Sequence, residues 1–467
     1  MYSEMHQQGA VRPEYDDLAR WIEEIGVDTL LARRAEAEAL FRRVGITFAV
    51  YGEGGDPDRL IPFDIVPRVF SASEWDRIER GSIQRARALN AFLADVYGAG
   101  EIFAAGRVPR RPVFENEAYQ PAMQGITPPA GVFGHIIGVD LVRCGPDEFY
   151  VLEDNCRTPS GISYVLENRE VMSRMFPQLF ATGQVRPVDG YPEMLARAME
   201  EVAPPACTGA PQLAILTPGH FNSAYYEHSF LADQMGVDLV EGQDLFTSDG
   251  LLWRRTIRGA ERVDVLYRRI DDDFLDPRAF RPDSMLGVPG IMDVYRNGGV
   301  TLVNAPGTGV ADDKSIYVHV PEMIRFYLGE EPIIPNVPTY RCAEADDCTY
   351  VLENLADLVV KEVHGSGGYG MIIGPKSTAA EREAYAARIR ANPSGFIAQP
   401  TLELSTSPTL SENGLVERHV DLRPFVISGR EVRLIPGGLT RVALREGSLV
   451  VNSSQGGGVK DTWVLNP

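Results

Sequence analysis

The chain is poor in cysteine, in positive charge and in long apolar runs. Its 467 residues include five cysteines, Cys144, Cys156, Cys207, Cys342 and Cys348. The number is odd and no Cys-x-x-Cys occurs, which argues against a disulfide framework or a zinc ribbon and for reduced thiols in the cytoplasm. Lys and Arg number 45 against 65 Asp and Glu, for a formal net charge of −20. A general nucleic-acid binder or a protein held on anionic lipid needs a basic surface, so neither is expected. No run approaches the roughly 18 apolar residues of a membrane span. The opening residues, Met1 to Gln8, lack the basic and apolar regions of a signal peptide, and none is expected. A Gly-Lys-Ser/Thr is missing, which excludes a Walker loop, and the lack of Asp-Phe-Gly argues against a protein kinase.

The apolar fraction of 44% and charged fraction of 24% are those of an ordinary soluble protein, long enough for several packed units. Punctuation by proline and glycine divides it into four sections. Residues 1–110 read as an N-terminal helical region, with helical periodicity from Tyr15 to Val44 and a second helix from Trp75 to Tyr97 opened by a Ser71/Glu74 capping box. Residues 111–205 carry two apolar runs either side of Gly145-Pro146-Asp147, then a helix from Ser163 to Met175. Residues 206–335 alternate strands (213–216, 237–240, 263–267, 300–303) with helices (225–235, 291–297, 315–328), the pattern of a small α/β unit with a mainly parallel sheet. Residues 336–467 hold a helix over 379–390, strands near Phe396, Phe425, Val432 and Val442, and a loop at 453–458.

Two constellations carry chemistry. In Val359-Val-Lys-Glu-Val-His-Gly-Ser-Gly-Gly-Tyr-Gly370, a β-branched run bearing Lys361 meets Gly365, Gly367, Gly368 and Gly370, and a second apolar run follows at once. This predicts strand, glycine loop, strand. Glycines let backbone N–H groups approach an anion, and Lys361 adds a positive charge, so the segment reads as a cover over nucleotide phosphates. The plainer reading is a surface hairpin. The Gly365/Gly367/Gly370 spacing also matches a dinucleotide fingerprint, but that motif requires a helix where a strand is expected here. The second constellation is a predicted hairpin about Pro146. Folding there sets Asp140 opposite Glu153, while Asn155 shares a strand face with Glu153. Two carboxylates and an amide oxygen suit Mg²⁺, against the plainer alternative of a solvated hairpin end.

The run Glu153-Asp-Asn-Cys-Arg-Thr-Pro-Ser-Gly161 resembles the metal strand of ATP-grasp ligases, and Lys361 with the glycine run resembles their phosphate lid. Here the metal strand precedes the lid, an inverted order that resembles the circularly permuted ATP-grasp type 2 family, related to the synthetase domain of glutathionylspermidine synthase. The resemblance spans nearly the whole chain and includes Arg268-Arg-Ile-Asp-Asp-Asp273, Asn304 to Lys314 and Pro436-Gly-Gly-Leu-Thr-Arg441. It implies an α/β permuted ATP-grasp fold (with α+β elements): N-terminal helices, a metal-binding part of the core over 111–205, a small Rossmann-like pre-ATP-grasp unit over 206–335 and a lid-bearing lobe over 336–467. It implies ATP and Mg²⁺ as cofactors. Lys314 and Lys361 would contact phosphates under Gly365, Gly367, Gly368 and Gly370. Gln399 would lie near adenine, and Asp140, Glu153 and Asn155 would hold metal. Arg441, with Lys361, would act at the transferred phosphoryl or the later oxyanion. The implied reaction joins a small-molecule or peptide carboxylate to an amine through an acyl phosphate, releasing ADP and phosphate. The alternative is a non-catalytic nucleotide sensor or assembly partner, and a protein partner is left open. Arg269 and Asp271 read equally as a substrate clamp or a salt-bridged strand end. Glutathionylspermidine synthase has an arginine for its glutathione where this chain has about Gly138, so glutathione and spermidine are not implied.

Overall fold

The expected hairpin forms. In the computed structural model, which describes residues 2–45, 47–48, 59–364, 370–448, 451 and 457–467, Ile136–Gly145 pairs antiparallel with Glu148–Asn155. Asp140 lies opposite Glu153 and Gly138 opposite Asn155, across two register irregularities. Ile136–Gly145 is almost wholly buried because it runs through the largest sheet. That sheet runs in the order Val432–Leu434, Phe425–Ser428, Ile136–Gly145, Gly414–Arg423, Leu439–Val442, Gly458–Val464, Phe63–Phe70, with Thr406–Ser411 branching from Gly414–Arg423 and Glu148–Asn155 from Ile136–Gly145.

Both faces of this sheet are covered, so strands such as Phe63–Phe70 and Phe425–Ser428 are buried along their whole length. On one face lies Ala72–Val96, whose Ser71/Glu74 capping box is present in both directions. Its Trp75, Ile78, Leu89, Phe92 and Leu93 share a core with Ile137, Val139 and Leu141. Ile162–Met175 belongs to the other face, where Ile162, Val165 and Leu166 join Ile136, Phe425 and Leu439. Asp154, pointing away from Glu153, accepts both bonds of a buried Arg85 fork from the long helix, at 2.6 and 2.7 Å. That ion pair fixes the hairpin to the helix.

The section 206–335 contains the expected parallel sheet, in the order Thr301–Val303, Val265–Arg268, Leu213–Leu216, Asp238–Val240. The strand order reverses between Leu213–Leu216 and Val265–Arg268, and ligands of such sheets sit outside the carboxyl ends at that point. From those ends emerge residues 269–273 and 304–314. An antiparallel unit of three strands, Leu245–Ser248, Leu251–Thr256 and Gly259–Val263, is inserted before the third parallel strand. The stretch 263–267, read as one strand, is therefore divided at Asp264, whose carboxylate accepts the Gln212 N–H.

Two helices are also interrupted. The stretch 15–44 breaks at Gly26, at φ +76°. The stretch 315–328 becomes Lys314–Tyr317, Val320–Met323 and a π-type turn Ile324–Leu328, because Pro321 has no N–H to continue the helix. The stretch 336–467 supplies strands to two sheets. Tyr340–Arg341, Phe396–Pro400, Leu358–Glu362 and Ile372–Ile373 form a small antiparallel sheet with its own core of Val351, Leu358, Val360, Ile389 and Ala398. Every described strand from Thr406 onward joins the large sheet instead. No helix among the described residues is long and apolar enough to cross a membrane.

Candidate functional site

A cleft of about 560 Å³ opens where the hairpin, the carboxyl ends of the parallel sheet and the small antiparallel lobe meet. Its walls include Glu153 and Asn155, Asp271, Asp312 to Lys314, His364, Arg423 and Arg441. Asn304, 1% exposed at the end of a parallel strand, ties two of these parts together. Its side-chain oxygen accepts from the His135 and Ile136 N–H groups, and its amide donates to the Ile136 and Cys156 carbonyls, all at 2.7–2.8 Å.

Asp140 sits at the base, 1% exposed. Arg423 donates to both its oxygens and Arg441 to Oδ2 at 2.6 Å. Burial alone would raise its pKa, but the two guanidiniums hold it well below the usual carboxylate range. Arg441 is paired across the sheet with Asp421, to which its Nε donates at 2.9 Å. Burial pushes the Asp421 carboxyl up more than Arg441 lowers it. Asp140 is thus brought beside Glu153 as expected, but both its oxygens are taken up by arginines rather than left open. Asn155 donates to Asp140 at 3.5 Å, which leaves the carboxamide oxygen for the cleft. Glu153 faces the cleft, 3.7 Å from Lys314 and 3.9 Å from Arg423.

A Cβ on Gly138 would lie 3.2 Å from Arg423 Cδ and 3.3 Å from Pro159 Cβ. Glycine here therefore lets the Arg423 stem lie flat against the strand. Gly138→Ala is expected to displace Arg423 and to destabilise by about 1–3 kcal/mol, the usual range for overpacking. Turnover would fall more than that loss explains. A chemical-denaturation midpoint measured beside kcat checks both effects.

Lys361 lies on Leu358–Glu362 and donates to Gln399 Oε1 at 2.8 Å; Gln399 in turn donates to Thr339 at 3.0 Å. Burial lowers the Lys361 ammonium to about 8, opposed by Glu153 and reinforced by Lys314. Lys314, 9% exposed, begins its short helix behind Asp313, whose carboxylate accepts the Ser315 N–H at 2.7 Å. Both expected lysines therefore approach Glu153. The strand–strand frame of the glycine segment is present, with Val360 opposite Ile372, but Gly365, Gly367 and Gly368 lie outside the described residues. Gly370 has φ +69°, and a Cβ there would meet the Glu362 carboxylate at 2.8 Å.

Arg269 has the geometry of the salt-bridged strand end, turned inward at the end of Val265–Arg268. It is 4% exposed and donates to Pro159 O at 2.8 Å, Tyr267 Oη at 2.7 Å and Glu227 at 3.0 Å. Glu227 also accepts from the Gly161 and Ser163 N–H groups, so the pair holds the loop after Glu148–Asn155. Asp271 does line the cleft, 3.6 Å from Arg157. Sequence reasoning missed Arg423, Asp312, Asp313 and His364. His364 Nδ1 lies 2.8 Å from Asp313, and this hydrogen bond raises the imidazole pKa. Asp312 and Asp313 lie within the stretch Asn304 to Lys314, in which the resemblance implies a role for Lys314 alone. Arg423 had no local signal, because its partner Asp140 lies on a neighbouring strand far away in sequence.

No group of three or more His, Cys, Asp or Glu side chains among the described residues could hold a metal by itself. Mg²⁺ is nevertheless compatible with the donors present. It is commonly held by one or two carboxylates with phosphate oxygens completing the shell, and Glu153 with the Asn155 oxygen supplies that kind of set.

Comparison with known proteins gives a consistent outcome. The model of the family described as circularly permuted ATP-grasp type 2 matches residues 67–443. An uncharacterized protein of Synechocystis is 54% identical, the alignment covering 98% of this chain and 95% of the relative. A Frankia alni protein, provisionally named a glutamate–cysteine ligase, is 44% identical, with 98% of this chain covering 53% of that relative. A solved glutathione synthetase-like effector from Globodera pallida, in its apo form, superposes with a TM-score of 0.60 at 11% identity, over 94% of this chain and 98% of its own. At that identity the likeness concerns the fold alone.

Proposed function

The chain belongs to the circularly permuted ATP-grasp type 2 family, and from that premise we propose that it is an ATP-dependent carboxylate–amine ligase that forms an acyl phosphate and releases ADP and phosphate. The observation that carries this reading is the convergence of Lys314, Arg423 and Arg441 with Glu153 and Asn155 on one cleft, with Lys361 beside them. Phosphoryl transfer asks a protein mainly for cations at the phosphates and for positioning. Lys314 and Lys361 meet the nucleotide phosphates, Arg441 and Arg423 the transferring phosphoryl and the later oxyanion. Gln399 orients Lys361 through its 2.8 Å hydrogen bond and lies toward the adenine. Glu153 and the Asn155 oxygen, backed by Asp140, would hold Mg²⁺, which when bound neutralises charge on the phosphate oxygens. Gly365, Gly367, Gly368 and Gly370 belong to the cover that excludes water from the acyl phosphate. The provisional name of the Frankia relative supports amino-acid substrates. Because the chain spans about half of that protein, glutamate and cysteine are the first pair to test rather than an assignment.

The test is Mg-dependent ADP release by the purified protein given glutamate with cysteine, then pools of amino acids, small peptides and polyamines. Release that needs both a carboxylate and an amine supports the ligase. Mg-ATP binding with no release under any pool would favour the nucleotide sensor or assembly partner. Glu153→Gln is expected to lower kcat by about 100-fold or more while Mg-ATP affinity changes severalfold at most, since the metal acts chiefly on charge developing at the phosphoryl. Wild-type turnover in that variant would rule out Glu153 as a metal ligand.

A further inference from the structure

Amide formation from an acyl phosphate requires an uncharged amine, whereas most amines arrive protonated. Something near the phosphates has to take that proton, and the cleft walls offer several acids. Most are committed. Asp154 is held by Arg85, Asp272 pairs with Arg268 and accepts the Gly307 N–H, and Asp313 is shared among His364, Asn116 and Ser315. Glu153 faces the lysines and the metal position. Glu117, Asp271 and Asp273 are exposed to solvent.

Asp312 differs from all of these. Its Oδ1 accepts the N–H groups of Cys156 and Arg157, the two residues after Asn155, which fixes the carboxylate plane. Among the described residues its Oδ2 accepts no hydrogen bond; its charged neighbour is Arg157 Nε at 3.9 Å. It ends the turn Thr308–Asp312, two residues before Lys314, and lines the cleft. We propose that Asp312 is the general base that deprotonates the amine substrate, a role resting on the ligase reading above. Its side chain is 28% exposed, and desolvation at the cleft wall lifts the carboxyl to about 7, with the Cys156 and Arg157 N–H groups and the Arg157 charge opposing that rise and Asp154 adding to it. A base poised near the working pH is the efficient choice.

The step balances. The ammonium gives one proton to Asp312 Oδ2, and the free amine attacks the acyl carbon. The C–N bond forms as the C–O bond to phosphate breaks, with that electron pair leaving on phosphate. The second amine proton ends on the released phosphate, and Asp312 returns its own to solvent.

Asp312→Asn is the decisive variant, because the amide oxygen still accepts both backbone N–H groups while losing the base. Hydroxylamine is the decisive nucleophile, since it is largely unprotonated near neutral pH and traps acyl phosphates as hydroxamates without a base. The expected result is a fall of about 100-fold in kcat/KM for the amine, hydroxamate formation within about threefold of wild type, and loss of the pH dependence near 7. Equal loss with both nucleophiles would mark Asp312 as a positioning residue and overturn the proposal. Unchanged amine ligation would overturn it while leaving the ligase intact. If wild-type protein forms neither amide nor hydroxamate with any carboxylate, the ligase reading falls and the base with it.

Discussion

Asp140→Asn is expected to lower folding stability by about 3–5 kcal/mol and to abolish detectable turnover. The first figure follows from what removing one member of a buried ion pair does to the member left behind. Arg423, which donates to both Asp140 oxygens, would keep one of those bonds, to the new amide oxygen, but would face an NH2 group in place of the other and no compensating charge, beside a 3.4 Å contact to the Ser160 carbonyl and a 3.9 Å approach to Glu153. Arg441 would suffer less, because Asp421 remains. Urea denaturation of both proteins measures the difference. A loss below about 1 kcal/mol would mean that solvent reaches the cluster and that the arginines are not dependent on Asp140. The pH dependence has a definite sign. The Asp140 pKa is depressed in the folded protein, so its stabilisation is fully present above the ordinary carboxylate range and is lost as pH falls through the depressed value. The acid limb of the stability curve should therefore shrink in Asp140→Asn.

Lys361→Met should weaken Mg-ATP binding about 10- to 100-fold, the range for losing a charge-assisted contact of ~1.5–3 kcal/mol. The stronger signature is in protons. Burial holds the free ammonium at about 8, and nucleotide phosphates beside it favour the charged form. Binding therefore raises that pKa. Above pH 8 the wild-type protein should take up protons as it binds Mg-ATP, and affinity should decline as pH rises through 8. Calorimetry at pH 8.5 in two buffers of different ionisation enthalpy measures the uptake directly. Lys361→Met should remove it, and unchanged uptake in that variant would assign the proton elsewhere. The 2.8 Å bond to Gln399 argues that Lys361 is already aimed before nucleotide arrives, so its replacement should affect binding more than folding.

Much of the site was legible in the chain because its parts are local. Asp140 and Glu153 oppose one another across a single hairpin whose turn is announced by Gly145-Pro146-Asp147. The parallel sheet of 206–335 was legible for the same reason, since alternating apolar runs and helical periods lie within a few turns of each other. Helix starts could be read where a capping box marks them, as at Ser71 and Glu74. The interruptions at Gly26 and Pro321 were visible as residues, but their effect depended on the path of the following chain.

The sequence by itself determined the chemistry available to this protein: paired oxygen donors on one hairpin, two lysines, and a glycine segment between two short strands. Only the tertiary structure decided which charges meet. Arg423 and Arg441 reach Asp140 because Gly414–Arg423 lies between Ile136–Gly145 and Leu439–Val442 in the sheet, a neighbour relation spanning hundreds of residues. Arg269 turned inward to hold a loop for the same kind of reason, with Glu227 supplied by a helix from another element. The Asp312 carboxyl is pushed up by desolvation at the cleft wall, against the lowering effect of the Cys156 and Arg157 N–H groups, a balance that no local pattern encodes. Coulomb interactions and desolvation act through space, so a charge's role follows from its surroundings and not from its neighbours in the chain.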